Sequence, residues 1–187
     1  MKHLILLGPI LCFMACGGPE PRKPVKVKSG SFFKESVERN KNLLAKEEAV
    51  IQEIIKTDTI NTYFESADGF WYHYEVKQNS VTYLPKTDDE IILTYNMMSF
   101  GNDTLYTAKE IGIVQMRVDK EQLFPGMRGA VKLLQEGEKA TFLFPSSLAY
   151  GYHGDANRIA PLTPIKSSVE IIKINKKTDT LNLKSNL

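Results

Sequence analysis

Apolar positions recur along this chain with more than one period, and each period predicts an element. In the stretch 123–154, Met127, Ala130, Val131 and Leu134 fall at i, i+3, i+4 and i+7, the spacing of one helical face. Pro125 suits the first helical position, where an N–H has no intrahelical acceptor. Gly137 is a stop signal. From Lys139 the period falls to two, which predicts a strand with Ala140, Phe142 and Phe144 on one face and Thr141 and Leu143 on the other, ended by Pro145. Leu148-Ala149-Tyr150-Gly151 then turns the chain into a loop, 150–163, that carries Gly151 and Gly154.

Upstream, Val37, Leu44 and Ile51 punctuate residues 31–56, and Phe33, Leu43, Val50, Ile54 and Ile55 fill a neighbouring stripe. This predicts an amphipathic helix of about seven turns. Asn40 and Glu47 interrupt its seam, which argues against a long coiled coil. Two readings stand side by side: the helix packs on its own domain, or it joins a second copy or another partner. Residues 70–77 alternate, with Phe70, Tyr72, Tyr74 and Val76 opposite Trp71, His73 and Glu75. Trp71, the single Trp, reads as packing between elements. Further strands are predicted over 90–97 (Ile91, Leu93 and Tyr95 on one face), 111–118 and 168–174, with a hairpin at Gly101-Asn102-Asp103 leading into Leu105-Tyr106-Thr107. Five or six strands with one short helix, not alternating with helices, predict an α+β domain.

A length of 187 residues bounds the chain to one domain with extensions. A net charge of +2 with no clustered basic face gives no case for nucleic acid. Residues 1–15 read as a signal peptide: Lys2, then an apolar run far too short to cross a bilayer of about 30 Å. They end in Phe13-Met14-Ala15-Cys16, which is similar to a bacterial lipobox, so Cys16 is the expected lipidation site and the membrane is reached through a lipid anchor. An ordinary signal peptide and a buried N-terminal helix are the other readings. Cleavage before Cys16 removes Cys12, leaving one thiol and no intramolecular disulfide. The expected organisation is a tether over 16–30, a helical arm over 31–60, the domain over 61–175 and a polar tail over 176–187.

Acid–base, nucleophilic and metal constellations do not stand out. His73 and His153 are lone and read as surface or loop residues, and Asp88-Asp89-Glu90 reads as a solvated cluster beside a turn. No metal site and no cofactor are expected.

Three pieces in order, Phe124-Pro125-Gly126-Met127, Gly137-Glu138-Lys139-Ala140 and Ala149-Tyr150-Gly151, give residues 89–174 a resemblance to the FK506-binding-protein family of peptidyl-prolyl isomerases. The resemblance implies an antiparallel sheet wrapped round the short helix, preceded here by the long amphipathic one. With the leader and the arm, the whole chain resembles the gliding-motility lipoprotein branch of that family in the Bacteroidetes. Proline-containing polypeptides are the implied clients, in the cell envelope and facing the periplasm. In the implied site Met127 is the floor, Tyr95, Val114, Leu123 and Phe124 are walls, and the Phe124 N–H bonds the peptide. Tyr150 donates its hydroxyl to a substrate carbonyl, Ile159 caps the opening, and Leu105 and Tyr106 line the substrate. The family pattern also shows departures. Met127 replaces a Trp floor, Leu105-Tyr106 replaces a Phe-Asp pair and so removes a carboxylate, and Ser167 stands where an aromatic closes the pocket.

The lack of reactive groups suits prolyl isomerisation, which breaks no bond. A non-catalytic binding module of the envelope using the same cleft is the competing reading, and a structural part of a gliding apparatus is a third.

Overall fold

The computed structural model describes residues 29–80, 82–121 and 123–177. The expected leader, the lipidated Cys16, the tether up to 28 and the tail from 178 lie outside the described residues. Contacts divide the chain into two units, Met1–Ser36 and Val37–Leu187. Among the described residues no helix is long and apolar enough to cross a membrane.

Helix α1 runs Ser29–Thr57, close to the predicted span. In the larger unit, β1 (Phe64–Glu65), β2 (Trp71–Val76), β3 (Glu90–Tyr95), β6 (Val114–Arg117), β7 (Lys139–Phe144) and β8 (Ile165–Asn175) form one antiparallel path in the order β1-β2-β7-β8-β3-β6. The two-residue β4 (Met97–Met98) pairs with β8 and with β5 (Thr104–Tyr106), which brings the sheet to eight strands among the described residues. The expected path of five or six strands is there; the additions are short pieces that no period could reveal.

The predicted helical face is buried whole. Met127, Ala130, Val131 and Leu134 share one core with Phe70, Ile91, Leu93, Phe142, Phe144, Val169 and Ile171 of the sheet. The helix is shorter than its pattern: α3 spans Pro125–Ala130, tightens to a 3-10 turn over Val131–Leu133, and Leu134 is already extended. Close approach to β7 demands Gly126, where a Cβ would lie 2.4 Å from the Phe144 ring and 2.9 Å from the Leu148 carbonyl.

Beyond Lys139, β7 is buried on both faces. Leu143 turns away from the main core to join Trp71 and the fully buried Ile51 of α1, with Ile54, Ile55 and Tyr63 around them. Trp71 therefore packs between elements, as expected. Of the two readings for the helix, packing on its own domain is what its later turns do. Glu47 accepts the Ser146 backbone N–H on Oε2 at 2.9 Å, so a position that interrupts the apolar seam is in fact buried.

Three expectations are corrected. A helix, α2 (Ala108–Ile111), occupies the start of the predicted strand, because Thr107 and Glu110 form a reciprocal capping box. His73 is buried rather than a surface residue: it meets Tyr63 edge-on at 4.9 Å, and its Nδ1 has no partner among the described residues. Asp89 is buried too, accepting the Tyr83 hydroxyl at 2.7 Å and the backbone N–H groups of Lys86 and Lys177, both at 2.8 Å. Its donors come from both ends of the domain, which no local pattern shows.

Glu75 ties three strands. It pairs with Lys139 at 2.6 Å, accepts the Thr141 hydroxyl at 2.6 Å, and accepts the Ser168 hydroxyl. Burial alone would raise its carboxyl, but the bonds from Lys139, Ser168 and Thr141 outweigh that and hold it at about 2, against an ordinary 4.5. A depressed folded value means stability present above pH 4.5 and lost as pH falls toward about 2. Thermal melts should therefore show Glu75→Gln losing less stability than wild type across that window. Parallel loss in the two proteins would remove Glu75 from the account.

Candidate functional site

The residues singled out in the sequence come from different elements and all belong to the main core or pack against it. Tyr95 ends β3, Leu105 and Tyr106 lie on β5, and Val114 opens β6. Leu123 and Phe124 lead into α3, Met127 is on α3, and Tyr150 and Ile159 come from the loop between β7 and β8. Tyr95, Phe124, Met127 and Ile159 are buried in this cluster, and Leu105, Tyr106, Val114, Leu123 and Tyr150 pack against it half-buried. Met127 is fully covered, so solvent meets the half-buried members first.

Phe124 is held by its neighbours. Its ring meets Phe144 edge-on at 5.3 Å and Tyr150 at 5.4 Å. Its backbone is extended (ψ 153°), as expected of a residue before proline. Among the described residues its N–H has no acceptor, which leaves a donor at the rim of an apolar surface.

The tyrosines supply the polar atoms. The Tyr150 hydroxyl donates to Met97 Sδ at 3.5 Å, a weak acceptor that leaves it free to exchange partners. Burial, and then the nearby Tyr95, Asp155 and Tyr106, push Tyr150 up to about 12, so it stays a neutral donor at any physiological pH. Burial likewise raises Tyr95, which is 8% exposed.

The loop is clamped to β5 and α2 through residues that the sequence reading passed over. Asp155 accepts the N–H groups of Asn157 at 2.9 Å and Ile159 at 2.8 Å on Oδ1, and the Tyr106 hydroxyl on Oδ2. Arg158 donates to the Leu105 carbonyl at 3.0 Å, pairs with Glu110 at 2.8 Å, and lies 4.8 Å above the Tyr106 ring. Backbone donation from Thr107, followed by the Arg158 contact, holds Glu110 at about 2. Position 106 carries no carboxylate, and Asp155 from another element sets one against the Tyr106 hydroxyl. Its local signal was the Asp-x-Asn spacing within a glycine-rich loop, which favours side chain-to-backbone turns. Ser167 is buried and donates to the Asn96 carbonyl at 2.6 Å, so no aromatic ring stands at that position.

Taken together, the arrangement is an apolar surface with two hydroxyls and one unpaired backbone N–H. It can hold a small apolar ring and donate to adjacent carbonyls.

Comparison with known proteins points the same way. Residues 82–172 match the model of the family described as FKBP-type peptidyl-prolyl cis-trans isomerase. A probable FKBP-type peptidyl-prolyl cis-trans isomerase FkpA from Neisseria meningitidis serogroup B is 29% identical over 129 residues, covering 69% of this chain and 45% of that protein. The chain therefore spans less than half the length of this curated relative. Among solved structures, a peptidyl-prolyl cis-trans isomerase from Pseudomonas syringae pv. tomato superposes with a TM-score of 0.58 at 19% identity, covering 73% of this chain and 96% of that one. FkpA from Escherichia coli gives 0.58 at 19% identity, covering 79% and 66%. At such identity the two structures speak for the fold alone.

Proposed function

We propose that this chain, whose residues 82–172 match the family model described as FKBP-type peptidyl-prolyl cis-trans isomerase, catalyses cis–trans isomerisation of Xaa-Pro bonds in polypeptide clients. The observation that carries the reading is the convergence of Tyr95, Phe124, Met127, Tyr150 and Ile159 on one apolar cluster edged by hydroxyls.

The chemistry asked of such a surface is modest. Amide resonance sets a barrier of about 18–20 kcal/mol. The two isomers differ by about 0.5–1 kcal/mol, so both are substrates. Twisting the C–N bond lessens charge separation, and an apolar surface disfavours the planar form, which loses more hydration on entry. The Phe124 N–H would fix the peptide, and the Tyr150 hydroxyl would leave Met97 for the carbonyl of the twisted amide. Preference for the twisted form by about 5 kcal/mol would speed exchange nearly four orders of magnitude. Because Met127 is covered, the proline ring would seat against Leu123, Val114 and Tyr150, with the flexible thioether yielding beneath.

Exchange spectroscopy on an Ala-Pro tetrapeptide tests this. Wild type should raise the exchange rate well above background, and Tyr150→Phe should lower it about tenfold by removing one donor. Equal rates for both proteins would dismiss the Tyr150 role. No turnover, with client aggregation still suppressed, would favour the binding module, a reading that the covered Met127 gives some support.

The setting follows from the sequence. The leader and Cys16 support a lipid-anchored protein of the cell envelope facing the periplasm, and mass spectrometry of the mature N-terminus would reveal the acyl chains. A role in folding envelope proteins, including those of a gliding apparatus, is supported by resemblance alone. A second copy or another partner would be held by exposed apolar positions of α1 such as Val37 and Val50.

A further inference from the structure

The sheet ends on β6, and β6 begins at the proposed proline seat. Val114 is both the first residue of that strand and a half-buried member of the cluster. The strand lies antiparallel to β3, from Val114 opposite Leu93 to Arg117 opposite Glu90, and no strand pairs with its other side among the described residues. The next residue fixes which groups face out. Val118 donates its N–H to the Asp89 carbonyl at 2.9 Å and accepts the Asp88 N–H at 3.1 Å. Backbone bonding alternates along an antiparallel pair. Met116 and Val114 therefore also face β3, and the N–H and C=O of Gln115 point away from the sheet. No turn or loop bond takes them up among the described residues. The Arg117 carbonyl points the same way but is occupied by the Lys120 N–H at 3.1 Å. At its opposite end the sheet is blunted by β1, which is two residues long. No such device guards β6: it holds no proline, its Gln115 side chain bonds Glu90 of β3, and Ile113 just before it is 74% exposed.

We propose that the free edge of β6 is an extended-peptide site that takes the residues preceding Xaa-Pro in a polypeptide client, as one added antiparallel strand. Continuity names the occupant: a chain whose proline sits against Val114 lies beside the strand whose next residue is the unpaired Gln115. Antiparallel pairing is the more stable of the two per residue. Because β6 runs outward from the seat, an antiparallel client runs inward and lays its preceding residues along the edge before the proline arrives. One client residue exchanges two hydrogen bonds with Gln115, donating its N–H to the carbonyl and accepting the N–H on its own carbonyl. Main-chain bonds carry the affinity, so the site reads extended shape more than sequence. Beside Ile113 an apolar client side chain is favoured, because it covers exposed surface. Four client residues, spanning about 13 Å, match the four of β6. The inference rests on the isomerase reading for the place of the proline, but binding at the edge is read without turnover.

The test compares acetyl-Ala-Pro-Phe-amide with acetyl-Thr-Val-Thr-Val-Ala-Pro-Phe-amide, each titrated into the full chain and followed by backbone amide NMR shifts and hydrogen exchange. The longer peptide should bind about tenfold more tightly, as two backbone hydrogen bonds would supply, and should slow exchange at the Gln115 N–H. N-methylation walked along the extension should erase the gain at one residue and spare its two neighbours, whose N–H groups face away from β6. Gln115→Pro removes the outward N–H without touching the ladder to β3. It should lose most of the gain and leave the short peptide's affinity unchanged, with circular dichroism checking the fold. Should that variant unfold, the N-methyl series decides. Equal affinity of the two peptides, an equal gain from four residues placed after the proline, or indifference to the position of N-methylation would overturn the proposal. So would shifts at Gln115 that grow with protein concentration alone, which would give the edge to a second copy. Tighter binding of the longer peptide with turnover of neither would uphold the edge site and dismiss the isomerase reading.

Discussion

Replacing Gly154 by alanine is expected to cost about 3 kcal/mol and lower the melting temperature by about 10 °C. Two costs combine. Gly154 sits at φ +65°, a region where an L side chain is strained. A Cβ there would also lie 2.1 Å from the Ile159 carbonyl oxygen and 2.9 Å from the Ala160 carbonyl carbon, both backbone atoms that cannot swing aside. The loop would open, breaking the Asp155 N–H bond to Ile159 (3.1 Å) and drawing Ile159 out of the cluster. The isomerase activity proposed above should fall with it, even well below the melting temperature. Asparagine tolerates positive φ but carries the same Cβ, so Gly154→Asn should be nearly as harmful. Recovery of wild-type stability in that variant would mean that backbone conformation, and not the clash, makes the glycine necessary.

Met127→Ala is the second large effect. Its side chain is fully buried among Ala130, Phe124 and the sheet residues of the main core. Truncation to a methyl group in such a place costs about 2–5 kcal/mol, depending on how far the surroundings collapse. Met127→Leu keeps the volume and should cost less than about 1.5 kcal/mol. The two variants separate support from chemistry when turnover is measured at a temperature where both are folded. If Met127 underlies the proline seat, the alanine variant should lose more than tenfold in kcat/KM while the leucine variant stays within a few-fold. Unchanged turnover in folded Met127→Ala would put the substrate elsewhere.

Much of this was legible where consecutive residues decide the outcome. The apolar face of α3, the alternation in β7, the hairpin at Asn102 and the amphipathic α1 all rest on local periodicity or turn chemistry. Positions whose environment is made by distant chain were not legible. Glu47 looked like a break in a stripe, yet its acceptor role depends on Ser146, 99 residues away. Asp155 looked like a loop acid, and its partner Tyr106 lies 49 residues back. Asp89 and His73 are polar residues that long-range packing encloses. The capping box of α2 is a different case: Thr107 and Glu110 showed it locally, but the apolar run from Ile111 read more readily as strand.

The borders of the matched segment carry a practical consequence. The family match begins at residue 82, whereas β2 ends at Val76 and hydrogen-bonds along β7 from Trp71 to Val76. Expressing 82–172 by itself would make β7 a rim strand with unsatisfied amides. It would also strip Ile51 and Trp71 from Leu143, leaving grease facing water on the reverse of the sheet. Such a fragment should clump in solution. Grafting this domain onto another polypeptide would therefore require carrying the later turns of α1 along as part of the graft.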